Sequence, residues 1–166
     1  MMNDRLDKEV VELIRLVTDA GPDGIPLQKV LEKAGTSTRN RLLLQTAIDS
    51  ALDLGLLDKI VGFPKYIDGV PFGDEIWILR VTTDKEREWF RNLPDEEKAV
   101  LRILQSTTTD GRIGSIREET LLLMLKNRGF DLEFVPIVPN KVEDEFTLED
   151  KRLVRWFYLV PSNPPS

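Results

Sequence analysis

Along the first half of this 166-residue chain the apolar residues change their spacing once, and that change constrains the fold more than any other feature. Up to Leu54 they recur on a helical period; from Leu56 they run in short extended stretches. Leu6, Val10, Leu13, Ile14 and Val17 share one face of a helix opened by Asp4 or Asp7. The turn formers Gly21-Pro22-Asp23-Gly24 end it. Ile25 predicts a short extended piece and Pro26 the first position of a second helix, which buries Leu27, Val30, Leu31 and Ala34 and stops at Gly35. Thr36-Ser37-Thr38 supplies hydroxyl caps for a third helix, running through Leu44, Ala47, Ile48, Ala51 and Leu54 to Gly55.

After the switch, Leu56 to Val61 reads as one strand and Glu75 to Thr82 as a second. Asp68-Gly69, between Tyr66-Ile67 and Val70-Pro71-Phe72, predicts a hairpin turn, because both turn positions need positive φ. Pro64 and Pro71 cannot donate ladder bonds, so the tip is expected to be irregular or an edge. The order is helix, short strand, helix, helix, strand, hairpin, strand over residues 1–83. It resembles the winged helix-turn-helix superfamily, and the residues carrying the resemblance are Gly35-Thr36-Ser37-Thr38 at the turn and the hairpin over 56–82. The likeness covers about half the chain and rests on element order and lengths. It implies that the third helix lies in a DNA major groove and that the hairpin wing touches the phosphate backbone. Many members of the superfamily are instead protein-docking modules.

Residues 84–94 form a charged connector, anchored by Trp89 and Phe90. Residues 95–160 read as a smaller α+β domain, and 161–166 as a loose tail rich in proline and serine. Within the second domain, a helix begins at Pro94-Asp95 with Val100, Ile103 and Leu104 as its stripe. Thr107 to Gly111 is a turn. Ser115 is expected to cap a helix through Leu121 to Leu125, apolar on every side and therefore buried. Phe130, Leu132 and Phe134 alternate with acids, predicting a half-buried strand. The acidic stretch 139–152 is expected to be polar, with Thr147 capping a short turn, before a last strand from Leu153 to Val160. Only 17 residues separate Ile113 from Asp131, against 31 between Ile25 and Leu57, a spacing that loses one helix. The expected fold class is therefore α+β: a winged helix-turn-helix domain followed by a degenerate winged helix or another small α+β domain.

Composition narrows the chemistry. The chain has no cysteine and no histidine, which excludes disulfides, thiolate nucleophiles and the commonest general base and transition-metal ligand. No enzymatic activity, cofactor or metal is expected. Net charge is −6, shared as −3 in each half, so contact with DNA must come from a local patch. There is no secretory pattern at the N-terminus and no apolar run long enough to span a membrane, and a cytoplasmic location is expected. Asp74-Glu75, Glu118-Glu119 and Glu143-Asp144-Glu145 read as solvated faces. Asp110-Gly111-Arg112-Ile113-Gly114 lacks the spacing of a phosphate loop and reads as a turn. Trp156-Phe157-Tyr158 reads as core or subunit contact.

The third helix carries the functional expectation. Leu44, Ala47, Ile48 and Ala51 point inward; Thr38, Arg39, Leu42, Gln45, Thr46, Asp49 and Asp53 occupy the opposite face. Against double-stranded DNA, Arg39, Gln45 and Thr46 would meet base edges beside Thr38, while Arg41, Lys59 and Lys65 would meet phosphates. The expected role is a transcriptional regulator, acting as a homodimer because two-fold symmetry doubles the contacts. The alternative is an adaptor whose Leu42, Trp89 and Phe90 contact a protein partner.

Overall fold

A computed structural model describes residues 2–162, with side chains from Asp4 onward. Residues 163–166 of the expected tail lie outside the described residues. The chain is α+β and divides into two compact units, one ending at Arg91 and one running from Asn92 to Ser162.

The first unit opens with α1 (Met2–Asp19), whose stripe buries Leu13 and Val17. Then follow β1 (Ile25–Pro26), α2 (Leu27–Glu32) and α3 (Thr38–Asp53). The helices enclose a core of Leu13, Val17, Val30, Leu44, Ala47 and Ile48, onto which Leu57 and Leu79 close from the sheet. That sheet contains β1, β2 (Leu57–Gly62) and β5 (Ile76–Val81) in the order β1-β5-β2, all antiparallel. β1 lies so close to β5 that a Cβ on Gly24 would sit 2.3 Å from the Leu79 carbonyl oxygen. Only glycine fits there, and its φ of +83° suits glycine as well. The hairpin of β3 (Lys65–Ile67) and β4 (Val70–Phe72) projects between β2 and β5 in sequence. Its two turn residues are Asp68 and Gly69, with φ of 52° and 79°, as their chemistry predicts. α4 (Asp84–Arg91) completes the unit, so the charged connector is a helix over most of its length.

The second unit runs α5 (Asp95–Leu104), β6 (Thr108–Thr109), β7 (Arg112–Ile113), β8 (Ser115–Arg117), α6 (Glu118–Asn127), β9 (Val142–Glu149) and β10 (Arg152–Leu159). Its sheet has the order β8-β10-β9. In each unit, then, the first strand of the sheet pairs with the last, and the last with the strand that precedes it in the sheet. Where the first unit places α3, between its second helix and the next strand, the second unit has the irregular segment 128–141.

Four expectations for this half are corrected. Phe130 to Phe134 is not a strand: the Phe130 amide closes α6 by donating to the Leu125 carbonyl at 2.9 Å, and Phe134 is exposed. Pro136 and Pro139 remove two ladder donors just beyond, and Val135 and Val138 are the residues buried instead. The acidic stretch is not polar loop but β9, and Thr147 lies within it as a strand residue. Its carboxylates are individually matched. Glu143 accepts from the Tyr158 hydroxyl at 2.8 Å, Asp144 pairs with Arg155 at 2.7 Å, Glu145 with Arg112 at 2.6 Å and Glu149 with Arg117 at 2.8 Å. The Glu143-Asp144-Glu145 run is therefore a row of partnered strand residues that still faces solvent, with Glu143 and Asp144 exposed. Ser115 caps nothing; it is buried in β8, and α6 starts after Arg117. α6 buries Leu121 and Leu125 but exposes Leu123, so it is amphipathic.

Candidate nucleic-acid interface

α3 is held by its inward face. Leu44, Ala47, Ile48, Ala51 and Leu52 are buried, which leaves the other face to solvent. The Ser37 hydroxyl accepts from the Asn40 amide at 3.3 Å and caps the helix start, and the first turn carries no acid. That end of the helix presents the positive pole of its dipole among Thr38, Arg39, Asn40 and Arg41, all exposed. Among the described residues no hydrogen bond or ion pair engages the Arg39 or Arg41 guanidinium.

Two depressions flank this end. One, of about 250 Å³, is lined by Arg5, Leu6, Arg39, Leu42, Leu43 and Thr46. The other, of about 480 Å³, lies among α1, α2 and α3; Arg5 and Asn40 line it too, with Lys33 at the C-terminal cap of α2 and with Glu9 and Glu12 of α1. Arg5 thus joins Arg39 in the smaller depression, and Arg5 and Lys33 share the larger one with Glu9 and Glu12. The acids of α3, Asp49 and Asp53, sit in its second half.

The remaining expected site residues fall in different settings. Gln45 is half-buried and donates to the Asp49 carboxylate at 3.4 Å, so reading a base would require it to leave a weak intrahelical bond. The Thr46 hydroxyl donates to the Leu42 carbonyl at 2.8 Å, as helical threonines do. Leu42 itself is 68% exposed. Lys65 is exposed on the hairpin. Lys59 is a correction: it is buried in β2, with its ammonium 4.5 Å from the centre of the Trp77 ring. A lysine whose stem is packed and whose charge rests on an indole is not available to a phosphate. Trp89 and Phe90 are half-buried, and the Phe90 ring lies against Gly55 of the same unit, which withdraws Phe90 from the expected partner surface.

The hairpin is less cationic than the resemblance implies. Ile67, Val70 and Phe72 are exposed along it, and Asp68, Asp74 and Glu75 outnumber Lys65. Arg5 and Lys33 escaped the sequence reading because each looks like an ordinary solvated residue of an amphipathic helix; only the packing of α1 and α2 brings them to α3. Among the described residues no group of acids could hold a metal ion, and no helix is long and apolar enough to cross a membrane. Comparison of the chain with models of protein families, with curated proteins and with solved structures finds no match.

Proposed function

We propose that the first unit is a winged helix-turn-helix module that binds duplex DNA, as a transcriptional regulator does, through the N-terminal half of α3. The observation that carries this reading is the setting of Arg39 and Arg41: two exposed, unengaged guanidiniums at the positive end of a helix, with Arg5 sharing a depression with Arg39. The element order, the β1-β5-β2 sheet and the β3–β4 projection support the fold assignment. The second unit, with the same pairing order and no counterpart of α3, is an abbreviated version of that fold. In this reading Arg39 meets a base edge, where its fork matches guanine, and Arg41 and Arg5 take phosphates. Thr38 and Lys65 contribute backbone contacts. Gln45 and Thr46 are secondary, and Lys59 has no part.

The test is retardation of mixed-sequence duplexes at low salt. Arg39→Ala and Arg41→Ala should each weaken binding about tenfold, the loss of one charged contact, and Arg41→Ala should reduce the salt slope by about 0.9. Absence of any retarded duplex would overturn the reading. A second reading is then favoured by Leu42, which is exposed beside the smaller depression: α3 docks onto a protein. Leu42→Asp should abolish that contact, whereas Arg41→Ala, which removes a cation outside the depression of Leu42, should leave it unchanged.

A further inference from the structure

The acidic strand β9 is the free edge of its sheet, since its neighbour in the order β8-β10-β9 is β10 alone. Free edges eight residues long are normally blunted by charge, proline or a covering element. Here three of the four charges are ion-paired, Asp144 with Arg155, Glu145 with Arg112 and Glu149 with Arg117, while Glu143 keeps its charge and accepts from the Tyr158 hydroxyl. What the edge still displays is apolar: Phe146 is 59% exposed and Leu148 75%, and Leu153, opposite Leu148 on β10, is 71% exposed. Phe146 and Leu148 lie on one face of the strand, the face that carries Val142, Leu159 and Phe157 into the core nearer its base.

We propose that β9 pairs antiparallel with β9 of a second copy, about a two-fold axis at Thr147. This register sets Phe146 of each copy opposite Leu148 of the other, twice, so the patch is complementary to itself. Leu153 extends the apolar row on either side. Moving the axis to Phe146 would set Asp144 opposite Leu148, and moving it to Leu148 would set Phe146 opposite Asp150; both lose the match. On the other face Glu145 meets Glu149 of the second copy, each paired with its own arginine, and beyond the apolar pair Asp144 faces Asp150, like-charge contacts that weaken the association. The result is one six-stranded sheet. Its edge is about 26 Å long and about 10 Å thick, roughly 260 Å² in projection, well below the ~800 Å² per partner of a standard interface. The dimer is therefore weak and forms with rising concentration. It does not depend on the DNA-binding reading, since the surface lies wholly in the second unit.

Sedimentation of the full chain across the micromolar range tests it, without DNA. The mass should rise from monomer to dimer, and Leu148→Lys should raise the midpoint concentration at least tenfold, while Leu123→Lys, on the exposed side of α6, should leave it unchanged. Because the chain has no cysteine, Thr147→Cys supplies a test of register: paired residues on an antiparallel ladder have Cβ atoms about 5 Å apart. Mild oxidation should link the introduced thiols into a covalent dimer, and Leu123→Cys should give none. Circular dichroism confirms that each variant is folded. A monomer at every concentration overturns the proposal and leaves the edge to a strand of a different protein. A dimer that does not cross-link through position 147 and ignores Leu148→Lys overturns it as well, by placing the interface elsewhere.

Discussion

Glu86 accepts two hydrogen bonds from the Arg80 guanidinium, at 3.0 and 2.5 Å, and thereby clamps the start of α4 to β5. The same carboxylate accepts from the Thr83 amide at 3.0 Å, while the Thr83 hydroxyl accepts from the Glu86 amide at 3.2 Å. This reciprocal capping box closes the helix start. Arg80 also reaches Asp58 of β2 at 3.5 Å, so one guanidinium ties two strands and a helix together.

That clamp makes stability depend on acid. The hydrogen bond from Arg80 is the main cause that lowers the Glu86 carboxyl to about 2; desolvation opposes it and the Thr83 amide assists. A carboxyl lowered on folding stabilises above its unfolded value, near 4.5, and loses that contribution as pH falls toward 2. Glu86→Gln should therefore lower stability at neutral pH by about 1.5 kcal/mol, the scale of a charge-assisted bond. The gap from the native chain, read from urea midpoints, should shrink as pH drops through that window. A gap that stays constant would show that the ion pair is not its source.

Gly55 has φ of +73°, and a Cβ there would meet the Phe90 ring at 2.9 Å. Gly55→Ala should destabilise by more than the ~1 kcal/mol of the left-handed conformation alone. In a Phe90→Ala background the added cost should fall back to about 1 kcal/mol. Equal costs in both backgrounds would mean that the ring simply moves aside.

The β9–β10 turn is built from Asp150 and Lys151, with φ of 48° and 64°. A lysine at the second position of such a turn is disfavoured where glycine is at ease. Lys151→Gly should raise thermal stability, by about 0.5–1 kcal/mol. A fall in melting temperature would indicate that the Lys151 side chain contributes more than its backbone strain removes.

Lys59 gives a negative prediction about DNA. Lys59→Met keeps the packed stem and removes only the charge over Trp77, so duplex affinity should change by less than about twofold. A loss as large as that of Arg41→Ala would return Lys59 to the interface.

The first unit was legible because local rules and packing agree in it. Ser37 caps α3, Asp68-Gly69 turns the hairpin, and the helical stripe from Leu6 to Val17 becomes core. The second unit hid its longest hairpin for two physical reasons. Asp150-Lys151 lacks the glycine that advertises this kind of turn, although Asp110-Gly111 nearby has it. And β9 reads as solvated because its acids find their arginines on β7, β8 and β10, contacts that no local pattern reveals. Phe130 to Phe134 erred in the opposite direction, alternating like a strand but followed by prolines that cannot pair. Within the site, Arg39 and Arg41 were visible on the helical wheel, whereas Lys59 lies at a strand position whose inward direction only the sheet register settles. The start of α4 is written locally, in the Thr83-x-x-Glu86 signature of a capping box.

The repeated pairing order of the two sheets has a consequence for how the chain is made. Neighbouring segments that obey one blueprint invite exchange, each offering its opening strand to the other's closing one. Here the candidates are Ile25-Pro26 and Ser115-Ile116-Arg117. A swap would set Arg117 against β5, beside the buried Leu79, and would bring to β10 a proline with no amide to give. Unlike chemistry on like scaffolds thus disfavours the exchange and keeps each opening strand with its own half.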